Sequence, residues 1–374
     1  MKIIVGGGVS GLWLAAELTA RNIPCCVLES HQLGQGQTLA SQGMIHGGTK
    51  YALDGLLSKA ASAIAAMPDR WRQAIAGQGT VDLSAVALER EHQLLWSHES
   101  LAANLVGFFA SKAMRSRMQR IKPEEEPAFA NGFDGHLYRL SEPVLRLDTL
   151  IPAFENLLTG RLFSADVVKL IARNDRIIGV ETTQGDLFGE VILTAGEGTE
   201  GILERSGLHV PRMQRRPLAM AVCTLNTPLP APIFGHQLGV GSKPKLTIST
   251  HQVRGQQCLY LGGQLAEDGV ERSDQAQQLA AESAVSEALS WLTPDIGTTH
   301  VFRVARAEPA TDQGARPDHP FIQTIKGGFV CWPTKLALAP QLSDMLIPQL
   351  QPSTGALYPA WPAATQGTYP WASH

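Results

Sequence analysis

Lys2-Ile3-Ile4-Val5-Gly6-Gly7-Gly8-Val9-Ser10-Gly11 opens the chain, and residues 12–21 continue it as a helical run. A second apolar strand, 25–28, ends at Glu29. The pattern is G-x-G-x-x-G between a strand and a helix, followed about 20 residues on by an acid. A nucleotide diphosphate approaches such a turn so closely that a Cβ would clash, which accounts for Gly6 and Gly8. The helix beginning at Val9 and Ser10 aims its N–H groups and positive dipole end at the phosphates. Gly11 lets that helix pack tightly on the strand. Glu29, followed by Ser30, is placed to accept hydrogen bonds from the adenosine ribose and would repel a 2′-phosphate, so NADP is disfavoured. With strand, helix and acid in register, a chance glycine-rich turn is the poorer reading.

At 374 residues the chain is long enough for two domains with cores of their own. A net charge of −3 gives no general reason to expect a nucleic-acid partner. Apolar runs are too short or too interrupted to span a bilayer. The first strand starts at residue 2, leaving no room for a signal peptide, so the cytoplasm is the expected compartment, with peripheral association at the inner membrane face left open. Five cysteines form no C-x-x-C pair, and buried free thiols are expected rather than metal ligands or disulfides. No metal site is expected.

Residues 34–48, rich in Gly, Ser, Gln and Thr, make a poor helix or strand and could line a ligand with amides and hydroxyls. Helices are expected over 55–76 and 98–120, the latter with Leu101, Leu105, Phe108 and Phe109 on one face. Its Lys112, Arg115, Arg117 and Arg120, followed by Glu124-Glu125-Glu126, read as a solvated face in preference to a docking surface. Short β runs follow at 162–165, 167–173, 177–183 and 191–195, then at 215–225 and 256–263. A helix is expected at 273–292, a last strand at 327–332, and a helix over 333–346. The Pro- and Trp-rich tail, 351–374, reads as irregular or loosely attached. The glycine turn, the β run and the closing strand are separated by stretches of different texture. This predicts an α/β fold: a Rossmann-like nucleotide-binding domain assembled from 1–80, 141–214 and 301–350, with an inserted α+β substrate domain on a mainly antiparallel sheet from 81–140 and 215–300.

Four stretches, spread over most of the chain, resemble the FAD-dependent D-amino-acid oxidase family, with its glycine and sarcosine oxidases and its glycerol-3-phosphate and L-2-hydroxyglutarate dehydrogenases. They are Ile3 to Gly11 with Glu29; Ser41-Gln42-Gly43-Met44-Ile45-His46-Gly47-Gly48; Gly179 to Thr182 with Val191 to Gly196; and Arg306 to Pro320 with Gly328-Phe329-Val330. The family's usual G-H-x-x-x-G turn after the last strand is replaced by Trp332-Pro333-Thr334-Lys335-Leu336-Ala337.

The resemblance implies FAD as cofactor and an enzyme that transfers a hydride from a CH–NH or CH–OH donor to flavin N5. The donor would be a small amino acid, secondary amine or 2-hydroxy acid, with oxygen or a quinone as electron acceptor. Ser41, Gln42, Gly43, Met44, Val168, Ala195, Gly196, Thr334, Lys335 and Leu336 join the glycine turn as expected FAD contacts. Arg306 is the expected anchor for a carboxylate-bearing substrate, with Arg303 and Arg316 as substitutes. Lys335, or the amides of Thr334 to Leu336, would face the charge of reduced flavin at N1 and C2=O. His46 reads as the base for a substrate hydroxyl, as a covalent flavin anchor, or as a backbone hydrogen-bonding residue; His251 and His319 are weaker candidates. Two other readings remain: a flavin-binding protein without turnover, and a tRNA-modifying flavin oxidase using the basic stretch 112–122.

Overall fold

The computed structural model describes residues 1–47, 64–98, 118–239, 244–312, 314–315, 317–353, 355 and 357–372. Strand β1 (Lys2–Val5), helix α1 (Val9–Ala20) and strand β2 (Cys25–Glu29) form the expected β-α-β unit. Helix α1 is apolar nearly all round and is buried from Val9 to Leu18, because it is covered on the side away from the sheet as well. After β3 (Gln32–Leu33) comes helix α2 (Met67–Ile75), whose Pro68 sits in the first turn, where a missing N–H costs nothing. The ring of its Trp71 packs 4.7 Å from that of Trp13. The earlier part of the expected 55–76 helix, 55–63, lies outside the described residues, as does Gly48.

Strands β4 (Leu88–Arg90), β5 (Gln93–His98), β6 (Met118–Ile121), β7 (Gly135–Leu140) and β8 (Val144–Leu145) lead to helix α3 (Leu147–Leu157). Both described ends of the expected 98–120 helix are therefore β. His98 ends β5, and Met118 to Arg120 pair with β7. Ladder pairing overrides helical periodicity there. Residues 99–117, with Leu101, Leu105, Phe108, Phe109, Lys112, Arg115 and Arg117, lie outside the described residues.

The middle of the chain runs through β9 (Leu162–Ser164), β10 (Val167–Arg173), β11 (Arg176–Thr182), β12 (Gly185–Phe188), β13 (Glu190–Leu193) and helix α4 (Gly198–Arg205). Then come β14 (Met213–Leu225), β15 (Phe234–Leu238), β16 (Pro244–Val253), β17 (Gln256–Gly262), α5 (Gln264–Asp268) and α6 (Asp274–Ala288). The Ser273 hydroxyl caps α6 by accepting the Ala276 N–H at 3.2 Å. Strands β18 (Ile296–Pro309), β19 (Phe321–Ile325) and β20 (Gly328–Trp332) follow, then a 3₁₀ turn at Leu336–Leu338, helix α7 (Ala339–Leu346) and β21 (Thr365–Gln366).

These elements build two large sheets. One has the order β19-β20-β13-β1-β2-β9, parallel except for its β19 edge. The other has the order β18-β14-β17-β16-β15-β5-β7-β6 and is antiparallel except where β15 meets β5. This is the α/β architecture expected, with β13 lying beside β1 as the strand end near Ala195 suggested. Strand β18 runs unbroken across residue 301 and places 301–309 in the antiparallel sheet instead of with the glycine turn.

The tail departs from expectation. Thr365 and Gln366 pair with Gln32 and Leu33, and Ala363 bridges Phe163. Trp371 is 2% exposed, with its ring 4.2 Å from Tyr260 and 4.8 Å from Tyr369. The segment is irregular in backbone but firmly packed, because its aromatic rings find apolar surface on the antiparallel sheet. All five cysteines are buried free thiols, as expected. No helix among the described residues is long and apolar enough to cross a membrane, and no metal-binding cluster occurs among them.

Candidate active site

The two sheets enclose a cavity of about 1270 Å³. The glycine turn forms one end of it. Gly6 has φ +110°, and a Cβ there would lie 2.6 Å from the Thr194 carbonyl oxygen. Glycine at this position is thus demanded by the chain itself, not by a ligand, which corrects half of the expectation. At Gly8 the nearest atom to an added Cβ is Thr38 Oγ1 at 3.4 Å, and the residue lines the cavity. Gly11 lies so close to β1 that a Cβ would come 2.1 Å from the Gly6 oxygen, so it packs the helix as predicted and lines nothing.

No side chain caps α1 through Gly8, and no acid stands in its first turn. Val9 N–H donates to Thr38 Oγ1 at 3.0 Å. The Ser10 hydroxyl is buried beside the cavity without a hydrogen-bond partner among the described residues. A buried hydroxyl left so costs about 1–3 kcal/mol. A phosphate oxygen at this helix terminus would satisfy it. The Glu29 carboxylate accepts the Gly7 N–H at 2.7 Å and the His31 N–H at 2.9 Å, which pins it at the end of β2, facing the same cavity.

Residues 34–47 bridge the sheets. Gln42 Nε2 donates to the carbonyls of Tyr260 and Thr247 at 3.0 and 3.2 Å, and the Tyr260 hydroxyl donates back to the Ala40 carbonyl at 2.9 Å. The Ser41 hydroxyl donates to the Thr38 carbonyl at 2.8 Å, and Met44 bridges Val144. Gly43 is a turn residue at φ +68° whose Cβ would lie 2.3 Å from the Leu145 oxygen; it does not line the cavity.

His46 lines the cavity with Nδ1 3.3 Å from Glu142 Oε2, while Glu142 Oε1 accepts the Gly47 N–H at 2.8 Å. The His236 ring lies 5.4 Å from that of His46 and contacts Thr247 Oγ1 at 2.9 Å and Gln93 Oε1 at 3.1 Å. Across the β14–β18 pair Arg216 stands opposite Arg306. Like charges so placed repel, and carboxylates offset them. Glu308, nearly fully buried, accepts Arg216 Nε at 2.6 Å and Nη2 at 2.8 Å; Glu267 faces Arg306 Nη2 at 3.3 Å.

A family model, FAD-dependent oxidoreductase (DAO), matches residues 2–332. The chain belongs to this family, and its cofactor is FAD. A probable FAD-dependent oxidoreductase of Pseudomonas aeruginosa is 41% identical over 372 residues, 96% of this chain and 94% of that one. A crystal structure of the FAD-dependent oxidoreductase from that organism superposes with TM-score 0.86 at 36% identity, covering 100% and 97% of the two chains. L-proline dehydrogenase from P. horikoshii (TM-score 0.69, 14% identity, 93% of each chain) shares the fold. So does glycine oxidase from Geobacillus kaustophilus (TM-score 0.64, 16% identity, 92% and 93%).

Within this DAO-family fold the cavity gathers Gly6, Gly8, Val9, Ser10, Glu29, Ser30, Ser41, Gln42, Met44, His46, Ala195, Gly196, Arg306, Thr334, Lys335 and Leu336. Val168 falls outside it. Val167, one residue earlier and at a register irregularity of β10, borders it instead, and the Val168 carbonyl accepts from Arg205. Arg303 reaches the cavity wall, but its guanidinium is spent on Asp274 and on the carbonyls of Val270 and Arg272. Arg316 lies outside the described residues. His251 is a core residue of β16, not a loop residue, ringed by Phe234, Tyr260, Tyr369 and Trp371; burial lowers its pKa to about 4. His319 is exposed and paired with Asp318.

Pro333 to Lys335 precede the helical turn instead of starting it. Thr334 takes φ +63° and Lys335 Nζ donates to the Asp318 carbonyl at 3.4 Å. Sequence reasoning missed Glu142, Arg216, His236 and Glu267, and reached Thr38 only as part of the 34–48 stretch. Glu142 and His236 carry no local motif; only the sheet pairing of β5, β7 and β15 brings them together.

Proposed function

We propose that this FAD-dependent enzyme oxidises a small carboxylate-bearing amino acid, secondary amine or 2-hydroxy acid. The carrying observation is that Ser10, Glu29, Gln42, His46, Arg306 and Lys335, from widely separated stretches, line one cavity. The α1 N-terminus and Ser10 would hold the diphosphate, and Glu29 the ribose. Ser41 to Met44, Val167, Ala195 and Gly196 would flank the rest of the cofactor. When bound, FAD supplies at N5 the acceptor for a hydride from the substrate carbon. Arg306 pairs with the substrate carboxylate. Lys335 and the amides of Thr334 to Leu336, which line the same cavity, would supply donors for the negative charge of a reduced flavin. His46 accepts the proton of a substrate hydroxyl, and oxygen or a quinone takes up the electrons. The glycine and proline acted on by the two structural neighbours support the amine branch, and His46 with its carboxylate supports the alcohol branch.

The test is anaerobic bleaching of the flavin's visible absorption by a panel of amino acids, N-methylated amines and 2-hydroxy acids. At least one member should bleach it. Arg306→Ala should weaken that substrate by about 2–5 kcal/mol, the cost of stripping a partner from a hydrogen-bonded charge pair. Flavin that stays oxidised across the whole panel would favour a binding protein without turnover.

A further inference from the structure

We infer that Glu142 is a positioning residue that fixes the His46 ring so that its Nε2 takes the proton of a hydroxyl substrate. The inference rests on the oxidase reading above and names the alcohol branch of it. Glu142 follows β7 and is 1% exposed, yet it borders the cavity. Its two oxygens are divided between His46 Nδ1 at 3.3 Å and the Gly47 N–H at 2.8 Å. The neighbouring Pro143 carbonyl accepts the Ile45 N–H at 3.0 Å, so this loop grips 45–47 at three points. A carboxylate only accepts hydrogen bonds, so this contact places the His46 proton on Nδ1 and makes Nε2 the basic nitrogen of the ring.

His236 does not compete for this role. Both of its nitrogens are engaged, by Thr247 and Gln93, and it supports the His46 ring from β15. An amine can react in its neutral form without a base, but a hydroxyl proton needs a destination. In the alcohol reaction the O–H proton would pass to Nε2 while bound FAD would supply the acceptor for the C–H hydride, leaving the carbonyl compound as product. The imidazolium so formed is stabilised by the Glu142 carboxylate, which accepts its Nδ1–H.

Glu142→Gln separates this role from a structural one. The new amide oxygen still accepts the Gly47 N–H, but the NH₂ group now donates to Nδ1 and drives the proton to Nε2. In FAD-loaded protein labelled with ¹⁵N-histidine, with the His46 signals assigned by their loss in His46→Ala, the wild type should show Nδ1–H and Glu142→Gln should show Nε2–H. Anaerobic bleaching by lactate, 2-hydroxyglutarate or glycerol 3-phosphate should fall roughly 100- to 10,000-fold in rate constant, the range for loss of a general base, with little change in half-saturation. Bleaching by sarcosine or proline should change little. Glu142→Asp, which keeps the charge, should retain Nδ1–H and recover part of the rate, and it serves if the Gln variant does not fold.

An unchanged His46 tautomer in Glu142→Gln, or equal losses with alcohols and amines, would overturn the inference. If no panel member reduces the wild type, the oxidase reading fails alone, and the tautomer spectra still decide whether Glu142 sets the ring.

Discussion

A methyl group added at Gly6 would sit 2.6 Å from a backbone oxygen in a residue at φ +110°, whereas one added at Gly8 would meet nothing nearer than 3.4 Å. The two positions of one motif therefore answer to different forces. Gly6→Ala should destabilise the fold, because strained backbone of this kind costs on the order of 1–3 kcal/mol before any clash is counted; thermal melting should show it with or without cofactor. Gly8→Val should leave the melting of the FAD-free chain nearly unchanged and lower the flavin retained on purification. Melting curves that shift equally for both variants would contradict this division. The Ser10 hydroxyl adds a finer test: Ser10→Ala removes a buried group with no hydrogen-bond partner among the described residues, so the FAD-free protein should melt no lower and should bind FAD more weakly.

Among the elements, the short 118–140 region is held by one carboxylate. Glu126, 2% exposed, accepts Arg90 at 2.6 Å, His92 at 3.0 Å and Arg139 at 2.9 Å, joining the chain after β6 to β4 and β7. Burial alone would raise its pKa, but the hydrogen bonds from His92 and Arg139 and the charge of Arg90 outweigh it and bring the group from 4.5 to about 2. A depressed carboxyl contributes stability that is complete above its unfolded pKa and lost as pH falls through the folded one. Roughly 3 kcal/mol should therefore disappear between about pH 5 and pH 2. Denaturant titrations of Glu126→Gln should start lower at neutral pH and show a much flatter acid limb over that window. Equal acid limbs in the two proteins would mean that the cluster contributes nothing.

For the molecule as a whole, the tail is a strap across the two sheets. Its β21 pairs with β3 just beyond Glu29, and Trp371 packs against Tyr260 of β17, whose hydroxyl holds the Ala40 carbonyl. Trp371→Ala should cost about 3–5 kcal/mol, as expected for emptying a buried tryptophan site. It should also hasten FAD release, since the 34–47 segment hangs from the same tyrosine. A melting temperature unchanged within a degree or so would show the strap to be dispensable.

The β-α-β start, the acid at Glu29, the apolar strand at Val191 and the closing strand at Gly328 were legible in the amino-acid order because each depends on neighbours a few residues away. Turn glycines, apolar runs and strand-end acids are local signals, and together they determined a nucleotide-binding α/β chain; FAD followed from the resemblance of four separated stretches to one family. The pairing of Glu142 with His46, the closeness of Arg216 to Arg306 and the docking of Trp371 carry no such signal. They join residues about 90 or more positions apart, and where the ladder register shifts in β10 it is Val167, not Val168, that borders the cavity. The tertiary structure alone decided them, because long-range strand pairing, not local preference, sets which distant residues meet.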